Sequence, residues 1–191
     1  MQCLLMLSVS AMATIYSASA IADPSLLNGT YGFTGTGACL YASGGFTASF
    51  QALGTTFSAS AGIEGVQTFN GNGTGTREET NMAFTLPPTV GFLPAASSSQ
   101  ISASFTYTVT DDMFTVQEVP GTVVGKVLTG PRAGQTFTTE GGSMRTGLIS
   151  AGGGILVTSI PTPVVETITS SNGDVQRRIC TFSGVLIKLA D

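Results

Sequence analysis

The stretch from Ile101 to Val109 alternates strictly between apolar and hydroxyl side chains. Apolar residues occupy the odd positions, and Ser or Thr occupies every even position. Because successive side chains of a β-strand point to opposite faces, this pattern predicts a strand with one buried face. Asp111-Asp112-Met113 interrupts the alternation, and an extended pattern resumes from Phe114 to Val119. The whole stretch predicts a β-hairpin around which the chain is organised.

Similar short segments recur along the chain between turn signals such as Asn70-Gly71-Asn72-Gly73 and Asn172-Gly173. Among the predicted strands are those at 30–41, 46–52, 63–69, 74–84 and 175–189. Residues 53–62 are ambiguous, and the Pro- and Ser-rich residues 87–99 predict a long loop. No segment has the period of an amphipathic helix. The pattern therefore predicts an all-β fold, a single antiparallel, mostly up-and-down β-barrel of about 8–10 strands.

The N-terminal residues have the features of a targeting segment. Leu4–Tyr16 is a mostly apolar run that is too short to span a bilayer as a helix. Ala20-Ile21-Ala22 has the form of a signal-peptidase site, and Ala18-Ser19-Ala20 is a second candidate. A basic residue before the apolar run is missing. We predict a signal peptide at 1–22, a single barrel domain at 23–191, and a secreted or periplasmic protein.

The composition excludes several functional classes. Only 9% of the residues are charged, the net charge is −4, and His is absent. Seven scattered Lys and Arg residues form no basic patch for nucleic acid. Without His, the commonest catalytic bases and the usual zinc and copper sites are not available. The adjacent carboxylates Glu78 and Glu79 are predicted to be solvated. We therefore predict no catalytic residue, no cofactor, no metal and no enzymatic activity.

Two cysteines remain after the predicted cleavage, Cys39 in the first strand and Cys180 in the last. Exported proteins usually join such a pair, so we predict a disulfide; the alternative is two unpaired buried thiols. If the two residues face each other on antiparallel neighbours, Phe33 faces Leu186 and Tyr31 faces Lys188. The first and last strands would then close the barrel, with a cation–π contact between Tyr31 and Lys188.

Gly29-Thr30-Tyr31 resembles the Gly-x-aromatic motif of the lipocalin and wider calycin families. In those barrels a basic residue packs over the aromatic, and Lys188 or Arg178 would serve here. The segment 69–75 makes the chain similar to small exported bacterial proteins with an allene-oxide-cyclase-like barrel. The resemblance implies a calycin-like barrel that holds a small apolar molecule. The candidate interior residues are Phe33, Phe50, Phe105, Tyr107 and Phe182.

Three functions remain open on the sequence. The first is non-enzymatic binding of a small hydrophobic ligand in the barrel. The second is a structural or adhesive role at the cell surface, and the third is a barrel isomerase or cyclase without His or metal. An outer-membrane barrel shares the alternation, but the Pro and Gly interruptions and the cysteine pair argue against it. An empty apolar interior would favour binding, a filled interior would favour structure, and a polar cluster in a cavity would favour an enzyme.

Overall fold

The computed structural model describes residues 23–86 and 95–190. The predicted signal peptide and residues 87–94 of the predicted loop lie outside this range. The described residues form an all-β fold with one short 3-10 turn, Pro24–Leu26, and no helix among them is long and apolar enough to cross a membrane. The eleven strands are β1 Asn28–Ala42, β2 Thr56–Asn70, β3 Thr74–Leu86, β4 Ala95–Thr110, β5 Met113–Glu118, β6 Val123–Thr129, β7 Thr136–Glu140, β8 Met144–Ile149, β9 Ile155–Ser159, β10 Val165–Ser170 and β11 Val175–Lys188.

All eleven strands belong to one antiparallel, barrel-like sheet, which confirms the predicted all-β antiparallel barrel but exceeds the predicted 8–10 strands. Five of them, β1 to β4 and β11, are 13–16 residues long. They lie side by side in the order β11-β1-β2-β3-β4 and form a continuous wall. The first five strands follow the predicted up-and-down order, but the remaining strands do not.

The other six strands form two short walls, one above the other along the barrel axis. The strands β5-β8-β9 join the C-terminal half of β4 to the C-terminal half of β11. The strands β6-β7-β10 join the N-terminal halves of the same two strands. Each wall completes its own circuit of eight strands with the five long ones. The barrel therefore has two halves that share one long wall.

The seam between β1 and β11 has the predicted register. Cys39 and Cys180 form the disulfide, with their Cα atoms 4.1 Å apart. Phe33 lies opposite Leu186, and Tyr31 lies opposite Lys188. The cation–π contacts of the described residues do not include this pair; Tyr31 is fully buried inside the barrel and Lys188 is exposed. The Tyr31 hydroxyl donates instead to the carbonyl oxygen of Gly153 at 2.8 Å.

The half closed by β5-β8-β9 is filled with apolar side chains, and we call it the filled half. Phe69 lies at its centre, and its ring meets those of Tyr31, Phe105, Tyr107 and Phe114 edge-on, with centroids 5.0–6.4 Å apart. Edge-to-face packing at these distances is favourable for aromatic rings. The remaining buried members of this core are Leu27, Phe33, Val109, Val116, Leu156 and Leu186.

The residues before β1 close the end of the filled half. Leu27, which follows the 3-10 turn, is fully buried. The Tyr107 hydroxyl donates to the carbonyl oxygen of Leu27 at 2.7 Å and contacts that of Pro24 at 3.0 Å. These bonds satisfy a hydroxyl that would be costly to bury alone. This end of the barrel is therefore plugged by the chain itself.

The predicted strand at 46–52 is wrong, and Phe50 does not line the interior. Residues 43–55 form a compact connection that contains one isolated bridge, Phe46 with Ala52. Phe50 has φ 60° in a turn and is 43% exposed. The physical reason is that β2 and β11 already occupy both edges of β1, so no edge is free for this segment. The ambiguous residues 56–62 belong instead to the long strand β2.

Candidate functional site

The half closed by β6-β7-β10 contains a cavity of about 380 Å³, and we call it the open half. Its walls come from inward-facing residues of the five long strands and of β6, β7 and β10. The cavity lining reaches the exposed residues Pro131 and Arg132 at the end of the barrel. A volume of this size lies within the range of small-molecule sites. The two halves of one barrel therefore differ in what fills them.

One side of the cavity is apolar and is built from small side chains. Ala59, Ala61 and Ile63 alternate along β2 and face the interior. At the end of this row the rings of Phe57 and Tyr41 stack, with centroids 4.4 Å apart and an interplanar angle of 8°. Alanines leave room where the filled half has phenylalanines, so this wall can receive the apolar part of a ligand.

The floor of the cavity is charged and lies where the two short walls meet. Arg77 of β3 contacts Glu79 of the same strand, with Nε and Oε2 2.9 Å apart. It also donates from Nη2 to Oε1 of Glu118, the last residue of β5, at 2.5 Å. All three side chains are at least 94% buried, being at most 6% exposed. Pairing is what allows charges to be buried this deeply.

Arg145 of β8 is the second cation of the floor. Its Nη2 lies 3.5 Å from the same Glu118 oxygen, and its guanidinium lies 4.6 Å from the centre of the Phe182 ring. Phe182 takes this position because Gly35 and Gly184 carry no side chain. A Cβ atom would come within 2.7 Å of the ring at Gly35 and 2.8 Å at Gly184. The two glycines therefore place the ring on which Arg145 rests.

Arg178 of β11 and Glu166 of β10 form a further ion pair that also lines the cavity, and we count it with the floor. Its Nε donates to Oε2 of Glu166 at 2.7 Å, and its Nη1 donates to the Tyr41 hydroxyl at 3.2 Å. Tyr41 thus connects the charged pair to the aromatic stack with Phe57. The resemblance suggested that Arg178 could pack over Tyr31, but in the structure it lies against Tyr41.

The charged groups shift one another's protonation equilibria. Burial raises the pKa of Glu118, but Arg77 and Arg145 outweigh this effect, so the net pKa is lowered and the group is ionised. Burial and the neighbouring Arg77 together lower the pKa of Arg145. Burial also acts to lower the pKa of Arg178, but Glu166 outweighs it and the net pKa is raised. Glu118 is therefore held as a carboxylate between Arg77 and Arg145 at neutral pH.

A third side of the cavity carries polar side chains along one continuous segment, residues 135–145, which we call the polar wall. Gln135, Thr139, Ser143 and Arg145 all line the cavity. Among residues 23–86 and 95–190, three of their atoms have no hydrogen-bond partner, namely Oε1 of Gln135, Oγ1 of Thr139 and Nε of Arg145. Buried polar atoms without partners are uncommon in folded proteins. The polar wall thus offers hydrogen bonds that the described part of the chain does not use.

The predicted interior residues fall into different places. Phe33, Phe105 and Tyr107 are buried in the filled half and do not line the cavity. Phe182 does line the cavity, beside Arg145. Phe50 lies outside the barrel interior. Of the predicted aromatic lining, one ring therefore belongs to the open half.

Sequence reasoning missed the charged floor. Glu79 was expected to be solvated with its neighbour, but Glu79 is buried and Glu78 is exposed, since they face opposite sides of β3. The sequence signal that could have indicated the floor is the alternation of inward and outward positions along a strand. Glu118 shares the inward parity of Phe114 and Val116, as a charged residue in an apolar row. The floor uses six charged residues, Arg77, Glu79, Glu118, Arg145, Glu166 and Arg178, in a chain with seven basic and eleven acidic ones.

Comparisons of the chain with protein-family models, with curated proteins and with solved structures find no match. The calycin-like resemblance therefore stays a prediction. The function of the chain is inferred from the chemistry of the cavity alone.

Proposed function

We propose that the protein binds a small, largely apolar molecule in the open half of the barrel without catalysing a reaction. The observation that carries this proposal is the cavity of about 380 Å³ beside a filled apolar core. Protein interiors are normally densely packed. A cavity of this size beside a half that is filled with large side chains therefore supports a binding role. The alanine and aromatic side would hold the apolar body of the ligand, and the charged floor would limit its depth.

The proposal includes an exported setting. The disulfide between Cys39 and Cys180 supports it, since such bonds persist in oxidising compartments. The apolar segment and the A-x-A motif at the N-terminus point the same way. In such a setting, the disulfide-bonded barrel would act as a carrier or a sensor of sparingly soluble molecules outside the cytoplasm.

The charged floor does not by itself favour an enzyme. A general base needs a pKa near the working pH, whereas the arginines lower the pKa of Glu118. Each carboxylate of the floor is also held by an arginine at 2.5–2.9 Å. We therefore assign the floor to orientation of a ligand and not to proton transfer.

The test uses the purified mature chain and N-phenyl-1-naphthylamine, an uncharged fluorophore that brightens in apolar sites. We expect saturable binding with one site per chain. Ala61→Leu places a larger side chain in the cavity and should weaken binding by about tenfold, since lost contacts of this size are worth over 1 kcal/mol. Ser60→Leu adds the same side chain on the outer face of the same strand and should leave binding unchanged.

Two results would contradict this proposal. The first is no saturable fluorescence with a folded protein, as judged by its circular dichroism. The second is equal loss in Ala61→Leu and Ser60→Leu, because the dye would then bind an outer surface and not the cavity.

A structural or adhesive role is the second candidate, and one observation favours it. Leu148, Val157 and Val185 lie opposite one another on the outer face, and Ile155 and Ile187 form the next row. All five are 39–56% exposed. Contiguous apolar surfaces of this kind often mark contacts between proteins. Sedimentation velocity at rising concentration would show self-association, and Val157→Lys should abolish it if this face is used.

A further inference from the structure

We infer that the ligand carries an uncharged oxygen, a hydroxyl or a carbonyl, and is not a fatty acid or another carboxylate. This inference rests on the proposed binding function and adds the class of the ligand. It follows from two features of the cavity, the charge balance of the floor and the unused hydrogen-bonding atoms of the polar wall, which share Arg145.

The floor is electrically balanced. Arg77, Arg145 and Arg178 are matched by the carboxylates of Glu79, Glu118 and Glu166, which the structure pairs with them. An added carboxylate at the depth of the floor would find no unpaired cation, because the remaining arginine of the lining, Arg132, lies at the exposed rim with Nη2 3.9 Å from Oδ2 of Asp174. Burying an uncompensated charge is costly, whereas a neutral oxygen with a hydrogen bond is not. The arginines are thus not a fatty-acid clamp, although their presence in a barrel suggests one.

The polar wall supplies the missing partners for a neutral oxygen. Nε of Arg145 is a donor, and Oε1 of Gln135 is an acceptor; neither has a partner among the residues that the structure describes. The hydroxyl of Thr139, which is 3% exposed, can donate and accept, and it is also unpartnered. A hydroxyl can bond to both types of group, and a carbonyl oxygen can accept from Arg145 or Thr139.

These atoms lie along a path from the rim to the floor. Gln135 is followed inward by Thr139 and then by Arg145, with Phe137 between the first two on the same parity. The alanine side of the cavity belongs to β2 and is separate from the polar wall, and its side chains carry no polar group. An elongated molecule with one polar edge and one apolar edge fits this arrangement.

The experiment measures displacement of bound N-phenyl-1-naphthylamine at pH 7 by 1-decanol, 2-decanone and decanoate. These compounds have the same chain length and differ in the oxygen group. We expect decanol and decanone to displace the dye, and decanoate to require an at least about tenfold higher concentration because its charge is uncompensated. Equal or stronger displacement by decanoate would overturn the inference.

A matched pair of variants tests the role of the polar wall. Arg145→Lys keeps the charge beside Glu118 but removes the planar Nε donor, and it should weaken decanone by about fivefold, the effect of one hydrogen bond. Arg177→Lys makes the same change at an exposed residue outside the cavity lining and should leave decanone unchanged. The affinity of each variant for decanone is compared with its own affinity for the dye, which has no oxygen, so that a general change in the cavity is not mistaken for loss of the hydrogen bond.

The outcomes separate the two proposals. If the dye binds in the cavity but decanone and decanoate compete equally, the ligand class is wrong while the binding function stands. If Arg145→Lys and Arg177→Lys behave alike towards decanone, the polar wall does not select the ligand. If the dye does not bind to the folded chain, the proposed function fails and the ligand class fails with it.

Discussion

The filled half and the open half of this barrel are built on the same five long strands, yet only one of them is packed. The inward positions of the filled half carry large rings, with Phe69 at their centre. The inward positions of the open half carry small or polar residues such as Ala59, Ala61 and Ser99. The comparison teaches that one half can provide the stability of the fold while the other is free to be a site.

The boundary between the halves is as informative as the halves themselves. It coincides with the change from β5-β8-β9 to β6-β7-β10 and with the ion pairs around Glu118. Charged residues at this depth lie between the apolar core and the cavity, and their pairing with one another is what allows them to be buried there. The cavity on one side of these ion pairs has a volume of about 380 Å³.

Removal of the disulfide should have the largest effect, because it ties together two strands that both halves use. The double variant Cys39→Ala/Cys180→Ala should lower the free energy of unfolding by up to about 5 kcal/mol, given the 141-residue separation. Urea denaturation of the variant and of the oxidised protein measures the difference. A loss below about 1 kcal/mol would show that the hydrogen bonds of the seam hold the barrel closed without the bond.

Truncation of a ring should separate the halves clearly. Phe69→Ala in the filled half should cost about 3–5 kcal/mol, since it opens a cavity among four other rings. Phe57→Ala in the open half removes one stacked pair and should cost about 1 kcal/mol. Both values come from urea melts under the same conditions. Similar losses in the two variants would mean that the open half is packed as tightly as the filled half.

Neutralising the central carboxylate tests the boundary. Glu118→Gln leaves Arg77 and Arg145 without their shared counterion and should cost about 3 kcal/mol at pH 7, the lower end of the range for breaking a buried pair. The exposed Glu78→Gln is the control and should change the free energy of unfolding by at most about 0.5 kcal/mol. Equal effects would place Glu118 in bulk solvent.

The pH dependence of stability follows from the same residue. The pKa of Glu118 is lower in the folded chain than its ordinary value of 4.5. Its contribution to stability is therefore complete above that pH and is lost as the pH falls below it, towards the folded-state pKa. The free energy of unfolding measured between pH 7 and pH 3 should fall less steeply in Glu118→Gln than in the unmodified chain. Parallel curves would contradict the ion-pair assignment.

Replacing an alanine by leucine should have the smallest effect on stability, and the effect should differ between a packed site and the cavity. Ala103→Leu enlarges a buried side chain that packs with Ile101 and Val123, and overpacking there should cost about 1–3 kcal/mol. Ala61→Leu extends into the cavity and should change stability by no more than about 1 kcal/mol in either direction, because space is available. Thermal melts of both variants suffice. A larger loss in Ala61→Leu would show that the cavity closes in solution.

The sequence by itself determined the all-β class, the hairpin from Ile101 to Glu118 and the register of the seam. Strict alternation decides which face of β4 is buried, since shifting the register by one residue would expose every apolar side chain. Ile101, Phe105, Tyr107 and Val109 are accordingly 0–6% exposed. The pairing of Cys39 with Cys180 then determines the opposition of all residues along β1 and β11. These features depend on neighbouring positions and on one covalent bond.

Only the tertiary structure decided where the interior is filled and where it is empty. Alternation shows that Phe33 and Ala61 both face inward, but it does not show which residues meet across the barrel. Glu118 shows this limit, because its partners Arg77 and Arg145 come from β3 and β8, 41 and 27 residues away. Phe50 shows the same limit in another way. Its alternating segment predicts a strand, but no strand edge of the closed sheet is free to pair with it. Occupied edges and cross-barrel contacts are properties of the closed sheet, and local sequence patterns do not encode them.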